Sequence, residues 1–233
     1  MPGRCLSRRL VLVLALLAAS LSTRIAPADE GETKSALERD PAGWTDLLAN
    51  AGPTLEGWTR GPIPPKGQLK PHMQWSIDAA SGHLICDGKG GHEWLRWNSQ
   101  LGDAVFHVEW RFTPVSGKKG YNSGLYARNS ADARIWHQAQ TGDGSGGYLF
   151  GETEVDGKLK GFNLSKQHKG RRVKPAGEWN TFEIACKGKE VTLWVNGAIT
   201  NRWDNCQVPR GYVGVEAEGY RIEFRNVKVK AMD

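Results

Sequence analysis

The stretch Val191-Thr-Leu-Trp-Val-Asn-Gly-Ala-Ile199 decides the fold. Its apolar residues alternate from Val191 to Val195 and resume at Ile199, and Asn196-Gly197 lies between the two runs. An Asn-Gly pair supplies the two positive-φ residues that a tight hairpin turn requires. The sequence therefore predicts an antiparallel hairpin at this point and, with it, an antiparallel sheet.

The segments around this hairpin are also short alternating runs that end at turn residues. The clearest of them is Val105–Phe112, in which every second residue is Phe, Val or Trp, so one face is predicted to be core and the opposite face polar. Further strands are predicted over Ser123–Arg128, Arg134–Gln140, Tyr148–Phe150, Lys174–Ile184, Gly211–Gly214 and Ile222–Val229.

These signals together predict an all-β chain of about a dozen strands, folded as a two-sheet antiparallel β-sandwich. Residues 152–173 are polar and lack helical periodicity, so they are predicted to be a long loop. The basic part of that segment, 158–172, leaves open a role as an interaction surface or as a loop that closes over a substrate.

The N-terminus has the pattern of a targeting segment. Arg4, Arg8 and Arg9 precede the apolar run Leu10–Leu21, and Ala26-Pro-Ala28 follows as a small-x-small cleavage site. The run is shorter than the roughly 20 residues that span a bilayer. Residues 1–28 are predicted to be a signal peptide cleaved near Ala28, 29–42 a linker, and 43–233 one domain outside the cytoplasm, periplasmic or secreted. An uncleaved anchor is the alternative.

The formal net charge of +6 is concentrated in that leader. Four arginines and no acidic residue lie in 1–28, and removing them leaves 27 basic and 25 acidic residues, a net charge of +2. This balance gives no reason to expect nucleic acid or a phospholipid surface as a partner. Cys86, Cys186 and Cys206 remain in the mature chain, either as a Cys186–Cys206 disulfide plus one thiol or as three thiols.

A series of motifs across the domain resembles one known family. They are Tyr121-Asn-Ser-Gly-Leu-Tyr-Ala-Arg128, Ile135-Trp-His-Gln-Ala-Gln140, Gly147-Tyr-Leu-Phe150, Lys174-Pro-Ala-Gly-Glu-Trp-Asn180, Val195-Asn-Gly197, Gly211-Tyr-Val-Gly-Val-Glu216 and Phe224-Arg-Asn226. Their order is similar to that of the 3-keto-disaccharide hydrolase family, over about residues 43–231. The resemblance implies a concanavalin-like jelly roll and the cleavage of 3-keto-glycosides.

The sequence departs from the pattern of this family at two places. The family often has an aromatic residue followed by Glu-x-Gln, and here Gln138 occupies the Glu position and Gln140 the Gln position. Near the C-terminus the family often has Leu-Gln-x-His-Gly, whereas this chain has Val215-Glu-Ala-Glu-Gly219. Both departures fall on candidate site residues.

The chemistry that the resemblance implies requires a base, an electrophile and an acid. A C3 ketone acidifies the C2 hydrogen of the sugar, so a base can form an enolate and the C1 substituent then leaves. His137 is the candidate base, Arg128 the electrophile and Glu109 the acid or a metal ligand. The alternatives are a structural histidine and surface ion pairs. Alternation also places His137 on the opposite strand face from Gln138 and Gln140.

The family pattern favours the Gln138/Gln140 face for substrate contact. The remaining candidates for that surface are Asn122, Glu216, Trp97, Trp136 and Trp75, since tryptophan rings stack on the C–H faces of sugars. Glu216 and Glu218 share a strand face and form either an acid–base pair, a divalent metal site or a solvated edge. His92 and Glu93, with His107 and His137, are potential metal ligands, although their spacing is not diagnostic of a metal site.

Two function classes follow from these candidates. The first is an enzyme that cleaves 3-keto-glycosides by elimination and hydration, with a carbohydrate substrate and an undecided need for a divalent metal. The alternative is a non-catalytic, lectin-like carbohydrate-binding module, which the tryptophans and the loss of the Glu at position 138 favour.

Overall fold

The computed structural model describes Met1 and residues 33–232. The predicted signal peptide and the first part of the predicted linker lie outside the described residues. Within the described part of the chain, no helix is both long enough and apolar enough to cross a bilayer.

The regular secondary structure of the described chain is all β-strand apart from one short helix, α1, at Ala36–Arg39. The fifteen strands are β1 Thr45–Asp46, β2 Trp58–Pro62, β3 Trp75–Ile77, β4 Leu84–Cys86, β5 Glu93–Trp97, β6 Ala104–Phe112, β7 Gly124–Asn129, β8 Trp136–Gln140, β9 Leu149–Val155, β10 Lys158–Asn163, β11 Asn180–Lys187, β12 Glu190–Val195, β13 Ala198–Trp203, β14 Tyr212–Ala217 and β15 Ile222–Ala231.

The strands form two antiparallel sheets. Sheet 1 has the order β13-β12-β11-β6-β15-β4-β3, and β1 pairs with β15. Sheet 2 has the order β10-β9-β8-β7-β14-β5-β2. The predicted all-β fold class, a two-sheet antiparallel sandwich of the jelly-roll type, is confirmed.

The core lies between the sheets and follows from alternation along each strand. In β6, Phe106, Val108, Trp110 and Phe112 are all fully buried. The Trp110 ring meets the Phe182 ring of β11 edge to face, with centroids 5.3 Å apart. Each such buried side chain contributes about 2 kcal/mol of hydrophobic stabilisation. A continuous aromatic layer of this kind therefore provides much of the stability of the fold.

The hairpin that the sequence predicts joins β12 to β13. Asn196 and Gly197 have φ values of 42° and 102°, the left-handed region that the turn requires. The Asn196 side chain also accepts a hydrogen bond of 2.8 Å from the Thr181 backbone N–H. The turn residue therefore both reverses the chain and fixes the hairpin to β11.

The prediction of a long loop over 152–173 is wrong for most of its length. β9 and β10 form a hairpin whose turn, Asp156-Gly157, has φ values of 52° and 73°. β10 is an edge strand with almost every residue exposed, so its sequence shows no alternation of apolar and polar residues. The basic residues at 158–160 belong to this edge strand and not to a free loop.

Residues 33–40, predicted as part of a linker, instead pack against sheet 1. Ser35 caps α1, and the backbone N–H groups of Ala36 and Leu37 donate to the Glu183 carboxylate at 2.6 and 3.1 Å. The same carboxylate lies 2.8 Å from His107 Nδ1. We call residues 33–40 with their partners His107 and Glu183 the N-terminal clasp. The sequence did not indicate it because the partner is about 147 residues away along the chain.

The three cysteines of the domain are free thiols in buried positions. Burial raises the pKa of Cys86 and of Cys186 to about 12, so both are neutral and unreactive near neutral pH. Of the two alternatives left by the sequence, the structure has three thiols.

Candidate functional site

A cavity of about 440 Å³ lies on the face of sheet 2 that points away from the core. Its lining residues alternate along the strands with core residues such as Leu125, Ala139 and Val215. The lining is formed by Ile63, Pro64, Pro65, His92, Asn122, Tyr126, Ala133, Trp136, Gln138, Gln140, Phe150, Glu152, Glu216 and Glu218. Neighbouring strands of one sheet therefore build the site with every second residue.

Glu216 is the polar centre of this cavity. Only 3% of it is exposed, yet its carboxylate accepts from the Tyr126 hydroxyl at 2.6 Å and from Gln138 Nε2 at 2.8 Å. His92 Nε2 lies 2.8 Å from the same carboxylate. These three partners compensate the cost of burying the carboxylate, because hydrogen bonding to the charged form favours it.

His92 and Glu218 are the titratable groups that flank Glu216. The hydrogen bond to Glu216 raises the pKa of His92 against the opposing effect of burial, so the imidazolium form is favoured. Burial, and then the charge of Glu216, raise the pKa of Glu218. An imidazole and a carboxylate, each with an increased proton affinity, thus stand side by side, which is an arrangement suited to proton transfer.

Amide side chains continue the polar part of the cavity. Gln140 Nε2 donates to Asn122 Oδ1 and, at 2.6 Å, to the Thr141 carbonyl oxygen. Gln138 is fixed by its bond to Glu216. Such oriented amides are suited to hydroxyl groups of a ligand, since each carries both a donor and an acceptor.

The other part of the cavity is apolar. The rings of Trp136 and Phe150 meet edge to face with centroids 5.1 Å apart. Ile63 and the two prolines after it line the cavity from the segment that follows β2, and Glu152 is exposed beside Trp136. The cavity therefore combines a polar end with an aromatic end.

The polar end also fits a divalent cation. One ligand atom from each of His92, Glu216 and Glu218 lies within 4.8 Å of the other two. Two ligands that each lie about 2.0–2.4 Å from one ion are at most about 4.8 Å apart, and imidazole with carboxylates suits several divalent metals. Among the described residues that line the cavity there is no lysine or arginine.

The structure brings together five of the predicted substrate-binding residues: Asn122, Gln138, Gln140, Trp136 and Glu216. It adds Tyr126 and Glu152, which sequence reasoning had not placed at the site, and His92, which the sequence indicated only as one of several potential metal ligands. His92 lies 124 positions from Glu216, and no local pattern links the two residues. Tyr126 lies on the outward face of β7, so its place at the site could be predicted once the register of that strand is known.

The prediction that Trp97 and Trp75 lie on the substrate surface is corrected. Trp97 packs against the core, with its ring 5.4 Å from that of Trp58. Trp75 is fully buried in sheet 1 and donates to Glu93 at 2.7 Å. Neither tryptophan lines the cavity, because each occupies an inward position of its strand.

The catalytic role predicted for His137 is also corrected. This residue is 2% exposed and points between the sheets, away from Gln138, with Nε2 2.9 Å from Thr153 Oγ1 and Nδ1 3.1 Å from the Ala127 carbonyl oxygen. Burial lowers its pKa to about 4, so it is neutral at physiological pH. A base with no access to the cavity cannot reach a substrate held there.

Glu109 and Arg128, predicted as the acid or metal ligand and as the electrophile, likewise lie outside the cavity. Glu109 is on sheet 1, where it accepts from Arg225 at 2.7 Å. Burial alone would raise its pKa, but the His107 ring 3.9 Å away and hydrogen bonds from Asn226 and Arg225 lower the pKa to about 2. Arg128 is 2% exposed and donates to Asp103 at 2.7 Å, a structural ion pair.

Three solved structures show the same fold. A putative glycosyl hydrolase from Parabacteroides distasonis ATCC 8503 is 18% identical, with a TM-score of 0.58 over 87% of this chain and 100% of that one. A second putative glycosyl hydrolase of that organism is 16% identical (TM-score 0.53; 81% and 99%). The carbohydrate-binding module CBM66 from Bacillus subtilis is 11% identical (TM-score 0.53; 75% and 96%). No curated protein matches the sequence significantly.

The sequence match extends over nearly all of the sandwich. Residues 43–230 match the family described as the 3-keto-alpha-glucoside-1,2-lyase-like domain. These bounds begin just before β1 and end within β15, so they include both sheets and every residue of the cavity. The chain belongs to the 3-keto-alpha-glucoside-1,2-lyase-like domain family.

Proposed function

We propose that this protein is a carbohydrate-active enzyme that cleaves 3-keto-glycosides outside the cytoplasm. The observation that carries the proposal is the convergence of His92, Glu216 and Glu218 at the polar end of a cavity that also has an aromatic wall. The family match and the glycosyl-hydrolase neighbours support carbohydrate chemistry. The basic and apolar N-terminal sequence supports export.

The reaction proceeds by elimination and then hydration. A base takes the proton from C2, and the electrons of that C–H bond form the C2–C3 double bond of an enolate. The enolate electrons then shift to form a C1–C2 double bond while the C1–O bond breaks, and the leaving oxygen receives a proton. Addition of water across the resulting enone gives the keto sugar, so the net change is hydrolysis of the glycoside.

The polar end offers a side chain for each of these steps. Glu218 takes the C2 proton and can return it to the leaving oxygen, since its raised pKa suits both directions. The His92 imidazolium stabilises the enolate oxygen, and Glu216 orients His92. Asn122, Gln138 and Gln140 are placed to hold the sugar hydroxyls.

A divalent cation is the alternative electrophile at this end. His92, Glu216 and Glu218 would hold it, and it would supply Lewis-acid stabilisation of the enolate. In that form of the site, Glu218 would hold the ion through one carboxylate oxygen and take the C2 proton with the other, and the imidazolium of His92 would not be used.

The test is turnover of a 3-keto-glucoside by the purified protein, followed by enone absorbance and by release of the aglycone. The account predicts release, and dialysis against EDTA separates the two electrophiles. Unchanged turnover after EDTA supports the His92 imidazolium, and loss that Mn²⁺ restores supports the cation. Failure to turn over any 3-keto-glycoside would reject the enzymatic proposal.

The second candidate is a non-catalytic carbohydrate-binding module. It is favoured by the aromatic wall of Trp136 and Phe150 and by the fold shared with CBM66. It predicts retention on immobilised glycans without turnover.

A further inference from the structure

The two ends of the cavity are separated along the strands of sheet 2. The register pairs Gln140 with Gly124, next to Glu216, whereas Trp136 pairs with Glu152 at the other end of β8. Four residues of a strand extend about 13 Å, so Trp136 lies about one sugar ring beyond Gln140, and Phe150, which pairs with Gln138, lies between these two positions. A glycoside whose sugar occupies the polar end therefore places its aglycone beside Trp136.

The aromatic end is formed by Trp136 of β8 and Phe150 of β9, whose rings pack edge to face. Ile63, Pro64 and Pro65 also line the cavity, but they follow β2 and lie beside His92, since the Ile63 N–H donates to the His92 carbonyl oxygen at 3.2 Å. Trp136 and Phe150 therefore provide the apolar surface that a ring bound at this end contacts.

Hydrogen-bonding side chains are scarce at this end. Of the described residues that line it, Glu152 alone carries a charged or amide group, and it is exposed at the rim. A second sugar would bury several hydroxyl groups that lack partners, and each such loss is unfavourable. A flat aromatic ring loses no hydrogen bond and gains aromatic contacts.

We infer that the aromatic end is an aglycone subsite that selects an aryl group over a second sugar. The preferred substrates are then aryl 3-keto-glycosides, and this inference rests on the proposed function. Glu152 accepts a hydrogen bond from a phenolic hydroxyl at the outer edge of the ring and repels a carboxylate there.

The test compares binding of unoxidised analogues, so that leaving-group reactivity does not enter. Calorimetry measures the affinity of 4-hydroxyphenyl glucoside and of a glucose disaccharide with the same anomeric configuration. We expect about tenfold tighter binding of the aryl ligand. Equal binding, or tighter binding of the disaccharide, would overturn the inference.

Variants of Trp136 test whether the preference for the aryl ligand arises at the aromatic end. Trp136→Ala should weaken the aryl ligand about tenfold and leave the disaccharide nearly unchanged, while Trp136→Phe should keep the preference. Trp194→Ala, a half-buried tryptophan of sheet 1, is the matched control and should change neither affinity. Equal weakening of both ligands by Trp136→Ala would contradict an aryl-selective subsite.

The two proposals can fail separately. Turnover of 3-keto-glycosides without aryl preference would reject the subsite and keep the proposed function. Aryl-selective binding without turnover would keep the subsite and reject the reaction.

Discussion

Gln138 Nε2 donates a hydrogen bond of 2.8 Å to Glu216 Oε2. These are two of the positions at which the sequence departs from the family pattern, which often has Glu at the first and Gln at the second. The structure places them in contact across neighbouring strands. We infer that the chain keeps the carboxylate–amide pair of the family pattern at this point of the cavity, with the two partners exchanged.

This exchange predicts that the pair can be reversed. Gln138→Glu alone sets two carboxylates against each other, and Glu216→Gln alone removes the charge that orients His92, so each should lower kcat/KM by more than tenfold. The double variant Gln138→Glu/Glu216→Gln restores one carboxylate and one amide. Its losses of kcat/KM and of stability should be smaller than the sums of the losses in the two single variants, as a double-mutant cycle measures. Strict additivity would contradict the exchange.

Glu109→Gln tests the corrected role of Glu109. Because Glu109 lies on sheet 1 with Arg225, the variant should keep its kcat/KM within about twofold and lose stability. The folded pKa of about 2 is below the ordinary 4.5, so this stabilisation is present above pH 4.5 and is lost as the pH falls through about 2. Urea unfolding of both proteins between pH 7 and pH 2 should show the two curves converge. Loss of turnover at full stability would return Glu109 to the catalytic site.

The N-terminal clasp should be sensitive to alkaline pH. Burial would lower the pKa of His107, but Glu109 and Glu183 outweigh it and raise the pKa above 6.5. The clasp then stabilises the fold fully below pH 6.5 and weakens as the pH rises through the raised value. Glu183→Gln should reduce this pH dependence to the part that Glu109 causes, and it should cost about 3 kcal/mol of unfolding free energy. Proteolysis of residues 33–40 and urea unfolding at pH 6 and pH 9 measure both effects, and an unchanged pH profile would contradict the ion pair.

His137→Leu tests whether the buried imidazole is structural. The substitution leaves Thr153 Oγ1 and the Ala127 carbonyl oxygen without their ring partners, so it should cost about 1–3 kcal/mol of unfolding free energy. The affinity for glycosides should stay within about twofold, because the side chain points away from the cavity. Weaker glycoside binding at unchanged stability would show that His137 contacts the ligand.

The sheets could be predicted from sequence because their signals are local. Alternation over Val105–Phe112 and the Asn196-Gly197 turn require only neighbouring residues, and the structure has a strand and a hairpin at these positions. β10 was missed because an exposed edge strand has no apolar face to alternate. The fold was thus predictable wherever a strand has one buried side.

The site could be predicted only in part. Gln138, Gln140 and Glu216 lie on strands whose outward faces the alternation and the family pattern indicate. Glu109 lies on sheet 1 and away from this site because both sheets have a polar outer face, and alternation does not tell which of the two faces carries His92, Glu216 and Glu218. His92 joins the site through a contact with Glu216 that only the order of strands in sheet 2 creates.

The most direct test of the central claim compares Glu218→Gln with Glu154→Gln in the turnover of a 3-keto-glucoside. Both residues are glutamates on the outer face of sheet 2, but Glu154 lies outside the cavity and pairs with Arg134. The account predicts at least a 100-fold loss of kcat, on the order expected for a missing base, in Glu218→Gln and about wild-type turnover in Glu154→Gln. Equal turnover by the two folded variants would contradict it.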